Sequence, residues 1–134
     1  MHNIKLLVVD DEQRFLFTAE KILKRQGFEV FIAESGQQAL ALLETNDAQV
    51  AILDVKMPGM DGIYTLKEIK RRYPYLDVIM LTGHATVPSA VEAMQMGASD
   101  YLMKPVAMDQ LIKKVREMVD RKTKNDSTNQ DPDR

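Results

Sequence analysis

The chain has 134 residues, of which 45% are hydrophobic and 28% are charged. This length and balance suit one soluble domain with a hydrophobic core and leave too little chain for two. Its 18 Lys and Arg residues against 20 Asp and Glu residues give a net charge of −2, which argues against broad electrostatic binding of nucleic acid. The lack of cysteine excludes disulfides, thiolate metal sites and thiol catalysis.

The first residues run directly into a strand-like segment and lack the basic start, apolar stretch and cleavage site of a signal peptide. No apolar run approaches the ~20 residues that a membrane-spanning helix requires. We therefore expect a cytoplasmic protein that does not enter a membrane.

Short apolar segments alternate with amphipathic helical segments along the chain. The first strand is rich in branched residues and stops at Asp10, and the third is continuously apolar, which is typical of a strand covered on both faces of a parallel sheet. Helical periodicity is clearest in the last helix, after Pro105. The predicted strands are 4–9, 28–33, 50–53, 78–81 and 101–103, and a helix is predicted after each.

Five strand–helix units within about 120 residues predict an α/β fold. We expect a doubly wound, five-stranded parallel sheet with five helices on its two faces, of the flavodoxin-like type. From Asp120 onward no residue is aliphatic or aromatic. The sequence therefore predicts one domain over residues 1–120 and a polar, disordered tail or linker over residues 121–134.

Polar side chains follow four of the predicted strands. Asp10 and Asp11 follow the first strand, Asp54 the third, Thr82 the fourth and Lys104 the fifth. Ligands of open α/β sheets bind outside the carboxyl ends of the strands, which share one edge in a parallel sheet. We therefore expect these five residues to converge.

Three carboxylates at one edge repel one another, and an all-oxygen site with room for water suits Mg²⁺ best. Positive charge from the metal and from Lys104 would let a phosphoryl group approach, and a carboxylate could then attack phosphorus. Asp10 and Asp11 look like a metal-binding pair, whereas Asp54 stands alone at the end of a buried central strand. These features favour Asp54 as the nucleophile.

Four segments, in this order and spacing, resemble the signatures of bacterial response-regulator receiver domains. They are residues 8–12 (VVDDE), 54–62 (DVKMPGMDG), 81–83 (LTG) and 104–105 (KP). The resemblance covers roughly residues 4 to 120. It implies a signalling receiver in a two-component phosphorelay, which catalyses only its own phosphorylation and dephosphorylation.

The resemblance also assigns roles to the site residues. It implies that Asp54 accepts the phosphoryl group from the phosphohistidine of a sensor histidine kinase. Asp10 and Asp11 would hold Mg²⁺ together with Asp54, assisted by the backbone carbonyl of Lys56. The remaining contacts to the phosphoryl oxygens would come from Thr82 and Lys104.

A switch follows from the same resemblance. Thr82 would move toward the phosphoryl group and allow Tyr101 to turn from an exposed to a buried rotamer. The output surface would be the fourth helix, the fifth strand and the fifth helix. A homodimer formed through that surface is compatible with the sequence, which does not decide it. The resemblance further favours a cis bond between Lys104 and Pro105.

Residues 82–87 (TGHATV) and 90–94 (AVEAM) further resemble receivers attached to enhancer-dependent transcription activators. The sequence does not identify the kinase or the output partner. We expect no direct contact with nucleic acid.

Three other functions share features of this pattern. A flavodoxin-type electron carrier needs Ser, Thr and Gly in its first phosphate-binding loop, where this chain has Asp10, Asp11 and Glu12. An Asp-nucleophile phosphatase would want a second Asp where Glu12 stands. The third alternative is a binding module that is never phosphorylated, and the acid pair, Thr82 and Lys104 argue against it.

Overall fold

A computed structural model describes residues 3–55, 62–83 and 87–129 of the chain. The described residues form five strands that alternate with five helices. The strands are β1 Lys5–Val9, β2 Glu29–Ala33, β3 Val50–Asp54, β4 Asp77–Thr82 and β5 Asp100–Met103. The helices are α1 Gln13–Arg25, α2 Gly36–Thr45, α3 Gly62–Arg72, α4 Val87–Gln95 and α5 Met108–Asn129.

All four strand pairings are parallel, and the strand order is β2-β1-β3-β4-β5. The predicted α/β fold with a doubly wound sheet is therefore confirmed. The chain reverses its direction of travel across the sheet between β1 and β3, and a crevice at such a switch point is where ligands bind in open α/β sheets. Every residue of β3 is buried, as expected for the central strand.

Alternate strand residues enter two separate cores because side chains on a strand point to opposite faces. On one face the strands pack with buried residues of α1 and α5, such as Leu16 and Val115. The other face carries α2, α3 and α4, with Leu66 and Ala93 among the buried residues. Helices on both faces leave the carboxyl edge of the sheet open between them.

Local signals account for several helix ends. The Ser35 hydroxyl accepts a hydrogen bond from the Gln38 N–H and caps the start of α2. Gly27 and Gly97, beyond the ends of α1 and α4, have φ of 96° and 103°, a conformation that favours glycine.

The C-terminal helix is longer than expected. α5 continues to Asn129, whereas the sequence predicted a disordered segment from residue 121. The helix therefore continues beyond Val119, the last apolar residue of its stripe. Lys122 holds this part of α5 to the body of the domain, because its ammonium group donates to the carbonyl of Tyr75. The division of the chain at residue 120 stays a prediction, and residues 130–134 lie outside the described residues.

Candidate functional site

Three carboxylates meet at the carboxyl edge of the sheet. Asp10 and Asp54 lie side by side because the residues before them, Val9 and Leu53, are paired across β1 and β3. Asp10, Asp11 and Asp54 each present a carboxylate oxygen, and these three oxygens all lie within 4.8 Å of one another. The convergence predicted from the strand ends is therefore observed for all three acids. Asp10 and Asp54 are buried, while Asp11 is exposed at the mouth of the cluster.

Hydrogen bonds orient the carboxylate of Asp10. One oxygen, Oδ1, accepts from the backbone N–H of Glu12 at 2.9 Å, and the Asp10 N–H donates to the carbonyl of Ala33 at 3.1 Å. α1 begins after Glu12, whose side chain makes no capping hydrogen bond. Asp10 thus shapes the turn into α1 with one oxygen and leaves the other for the cluster.

Lys104 supplies positive charge to this cluster. Its ammonium nitrogen, Nζ, pairs closely with Oδ2 of Asp10 and lies 3.7 Å from Oδ2 of Asp54. It also lies over the ring of Phe15, 4.8 Å from the ring centre. Burial alone would lower the pKa of Lys104, but the hydrogen bond and charge of Asp10, with the charge of Asp54, outweigh it and raise the pKa. Lys104 is therefore held as a cation at neutral pH.

Gly62 allows the chain to pass close to Asp54. Its N–H donates to the carbonyl of Val55 at 2.9 Å. A Cβ on Gly62 would lie 2.1 Å from the backbone oxygen of Asp54 and 2.6 Å from Cα of Val55. Such a contact is possible only for glycine. The sequence did not predict this close approach to Asp54, and the signal that could have indicated it is a glycine at the first position of a helix.

Thr82 and Tyr101 project from the same face of the sheet. Tyr101 is paired with Met80 across β4 and β5, and Thr82 lies two residues beyond Met80, so the three side chains share a face. Thr82 is buried, and its carbonyl accepts from the Lys104 N–H at 2.7 Å. Tyr101 is half-buried against the core on the α2, α3 and α4 side.

The bond between Lys104 and Pro105 is cis, as the resemblance implied. Lys56, the predicted carbonyl ligand, lies outside the described residues. No helix among the described residues combines the length and apolar character needed to cross a membrane.

Comparison with known proteins agrees with this geometry. Residues 6–116 match the family model for the response regulator receiver domain. The chain belongs to the response regulator receiver family. Receivers are phosphoacceptor domains that cognate histidine kinases phosphorylate, and their acidic clusters are typical metal sites. This membership decides against the electron carrier and the phosphatase.

The relatives of this receiver include transcriptional regulators. It is 42% identical over 109 residues to the transcriptional regulatory protein ZraR of Escherichia coli, covering 81% of this chain and 25% of ZraR. It is 41% identical over 105 residues to the DNA-binding transcriptional regulator NtrC of Klebsiella pneumoniae, covering 78% of this chain and 22% of NtrC. The predicted similarity to receivers of enhancer-dependent activators is thus confirmed. The receiver spans about a quarter of the length of these relatives.

A solved structure shows the same fold. The CheY-like receiver domain from Methanospirillum hungatei superimposes with a TM-score of 0.89 at 33% identity, covering 92% of this chain and 99% of that one. This chain therefore has the same flavodoxin-like fold as that receiver domain.

The described residues fit a divalent cation. Three carboxylate oxygens within 4.8 Å of one another form the hard, all-oxygen donor set that Mg²⁺ prefers. Two of the carboxylates are buried with one lysine between them, so the cluster retains negative charge for a cation to neutralise.

Proposed function

We propose that this receiver transfers a phosphoryl group from a phosphohistidine of a sensor histidine kinase to Asp54 in an Mg²⁺-dependent reaction. The observation that supports it most directly is the convergence of Asp54 with Asp10, Asp11 and Lys104 at the open edge of the sheet. Asp10, Asp11, Asp54 and the backbone carbonyl of Lys56 are the proposed ligands. When bound, Mg²⁺ supplies positive charge that offsets the charge of the phosphoryl oxygens.

Asp54 acts as the nucleophile. Its carboxylate oxygen forms a bond to phosphorus while the bond between phosphorus and the histidine nitrogen breaks, and that nitrogen keeps the electron pair. The products are an acyl phosphate on Asp54 and a free imidazole on the kinase. Asp54 is buried at the end of the central strand, and Gly62 packs against its backbone, so the strand end that carries the nucleophile is fixed in place, which favours attack from one direction.

Lys104 binds the transferred group. Its ammonium nitrogen already lies 3.7 Å from Oδ2 of Asp54, so rotation of its flexible side chain can bring it to a phosphoryl oxygen. A fixed positive charge at that position stabilises the charge that develops during transfer. The Thr82 hydroxyl, at the end of the neighbouring strand, donates a hydrogen bond to another phosphoryl oxygen.

Thr82 and Tyr101 carry the signal outward. Phosphorylation adds about 1.5–2 negative charges and three acceptor oxygens at the pocket. Thr82 turns toward these oxygens, and Tyr101, on the same face of the sheet, then turns inward from its half-buried position. The output surface is formed by α4, β5 and α5, where Val91, Met94 and Met103 are exposed. By analogy with ZraR and NtrC, that surface controls a transcription activator.

Intact-mass analysis tests the phosphoacceptor role. With Mg²⁺ and acetyl phosphate the wild-type chain should gain one phosphoryl group, and Asp54→Asn should gain none. Asp47→Asn, at an exposed acid away from the site, is the matched control and should react like wild type. Wild type that fails to gain the group would favour the binding module that is never phosphorylated. Equal gain by Asp54→Asn would show that another residue accepts the group and would contradict the role of Asp54.

The switch needs a separate test. Thr82→Ala should still accept the phosphoryl group, but the ring resonances of Tyr101 should no longer shift on phosphorylation. Thr18→Ala, at an exposed position of α1, should keep the shift. A normal Tyr101 shift in Thr82→Ala would contradict the proposed coupling.

A further inference from the structure

Among the described residues, the Lys104 ammonium group has three close neighbours of two different kinds. Two are the carboxylates of Asp10 and Asp54, and the third is the ring of Phe15, with its centre 4.8 Å from Nζ. Under the proposed function both carboxylates take part in metal binding or phosphoryl transfer. The ring is therefore the neighbour that Lys104 can keep throughout the reaction.

Phe15 is held firmly in this position. It is the third residue of α1, and its half-buried side chain packs against the core shared by α1 and α5. The neighbouring Leu16 and nearby Ala19 are fully buried. These contacts fix the helix, and with it the ring, relative to the carboxyl edge of the sheet.

The chemistry of the ring suits this place. An aromatic face attracts an ammonium ion within about 6 Å of its centre. A further acid at this position would add negative charge and repel a phosphoryl group, whereas the ring does not. Unlike a hydroxyl, the ring also offers no ligand for a metal. It can therefore stabilise Lys104 at the pocket without competing for what the pocket binds.

We propose that Phe15 is a positioning residue for Lys104, holding its ammonium group beside Asp54 through the face of the ring. This proposal rests on the proposed function for its role in phosphoryl transfer, but the contact itself can be tested without phosphorylation. The simpler alternative is that Phe15 only fills space in the core, as its helical spacing indicates. Substitutions that preserve volume but remove the ring separate the two.

A double-mutant cycle tests the contact in metal-free protein. Urea unfolding in the presence of a chelator would compare wild type, Phe15→Leu, Lys104→Met and the double variant. The Phe15→Leu substitution should reduce the folding equilibrium constant by about 2- to 30-fold more when Lys104 is present than in the Lys104→Met background, which is the range for a cation–π contact. The same cycle with Phe17→Leu, whose ring is exposed on the same helix, should be additive.

Phosphorylation kinetics test the consequence. With acetyl phosphate and Mg²⁺, Phe15→Leu should slow phosphorylation by about 2- to 30-fold, whereas Phe15→Tyr, which keeps a ring, should remain within about twofold of wild type. Phe15→Met is a second variant without a ring and should resemble Phe15→Leu. Phe17→Leu should match wild type.

Two results would overturn the proposal. One is a Phe15–Lys104 cycle that is additive, and the other is Phe15→Tyr impaired as severely as Phe15→Leu, since loss of the ring would then not be the cause. Phosphorylation of wild type but not of Asp54→Asn in the same assay shows that the phosphoacceptor role holds even if the role of Phe15 fails.

Discussion

The two edges of the sheet carry charge in different ways. At the carboxyl edge, three carboxylates converge on the ammonium group of Lys104. At the amino edge, acids have separate partners: Asp77 accepts from the Ser99 hydroxyl at 2.8 Å, and Asp100 pairs with Lys114 at 2.8 Å. Each of these two acids at the amino edge has a lysine of its own, since Lys122 lies 4.0 Å from Asp77, whereas the three carboxylates at the carboxyl edge share Lys104 and keep a negative excess. A cation can offset such an excess, which is why the carboxyl edge is the candidate site.

One lysine at each edge makes the difference clear. Lys70, near the amino edge, donates to the carbonyls of Pro74 at 2.7 Å and Leu76 at 2.9 Å. Burial lowers the pKa of Lys70, and the charge of Asp77 offsets this only in part. At Lys104 the carboxylates of Asp10 and Asp54 overcome burial and raise the pKa. A lysine held by neutral carbonyls supports a loop, whereas a lysine among carboxylates balances a reactive cluster.

A cavity alone does not identify the site. A cavity of about 440 Å³ lies at the amino edge, lined by residues that include Tyr73, Tyr75 and Leu76. Its ionisable groups do not converge as Asp10, Asp11 and Asp54 do. The carboxyl edge is therefore identified as the candidate site by its converging carboxylates and not by the volume of a cavity.

The largest effect is expected on the rate of phosphorylation when Lys104 is replaced, with Lys70 as the comparison. Lys104→Met should slow phosphorylation of Asp54 by about 10²- to 10³-fold, because a fixed charge that stabilises the transfer is lost. Lys70→Met should leave the rate unchanged and lower the free energy of unfolding by about 1–2 kcal/mol, through loss of its two hydrogen bonds. Initial rates by intact mass and urea unfolding measure the two effects. Equal slowing by both substitutions would remove the distinction between the edges.

Gly62→Ala should be the next most damaging change. Its Cβ would collide with the backbone of Asp54 and Val55, so the strand end must shift, at a cost of at least about 2 kcal/mol. Gly83→Ala is a matched control at the same edge, since a Cβ there meets nothing within 4 Å. Chemical unfolding of both variants tests this. Similar destabilisation by the two changes would show that the close approach at Gly62 is not required.

Metal should stabilise the carboxyl edge specifically. At about 100 times its Kd, Mg²⁺ should raise the free energy of unfolding of wild type by about 2.7 kcal/mol. Asp11→Asn should be more stable than wild type in chelator, because a repelling charge is gone, yet gain much less from Mg²⁺. Asp77→Asn, at the amino edge, should keep the full gain. Thermal unfolding with chelator or excess Mg²⁺ distinguishes these cases.

The smallest effect on stability is expected at the amino edge, for the ion pair between Asp100 and Lys114. Burial would raise the pKa of Asp100, but hydrogen bonds from Lys114 and from the Tyr101 N–H lower it below its usual value of 3.8. A lowered carboxyl pKa contributes stability above the unfolded value and loses it as pH falls through the folded value. Asp100→Asn should therefore cost about 0.5 kcal/mol at neutral pH and converge with wild type below pH 3.8. Urea unfolding across this range checks it, and a constant difference would contradict it.

Much of the fold was readable from local pattern. The strands were predicted from apolar runs, and the polar residue after each run marked the strand's end: Asp10, Asp54, Thr82 and Lys104. Apolar runs and strand ends can be predicted in this way because each depends on residues adjacent in the chain. The apolar stripe of α5 ends at Val119, whereas the helix runs to Asn129. Within this stretch Lys122 donates to the carbonyl of Tyr75, a contact between residues far apart in sequence. The spacing of apolar residues indicates which side chains face the core, so it cannot predict a polar contact of this kind.

The residue types at the strand ends indicated the chemistry of the site by themselves, since carboxylates, a lysine and a hydroxyl all follow strands whose carboxyl ends share one edge of a parallel sheet. Tertiary structure alone decided which groups touch. It paired Lys104 with Asp10 more closely than with Asp54, set the ring of Phe15 beside the ammonium group, and brought Gly62 against the backbone of Asp54. These contacts join residues on different elements, and their distances depend on how helices pack on the sheet, which no local pattern encodes.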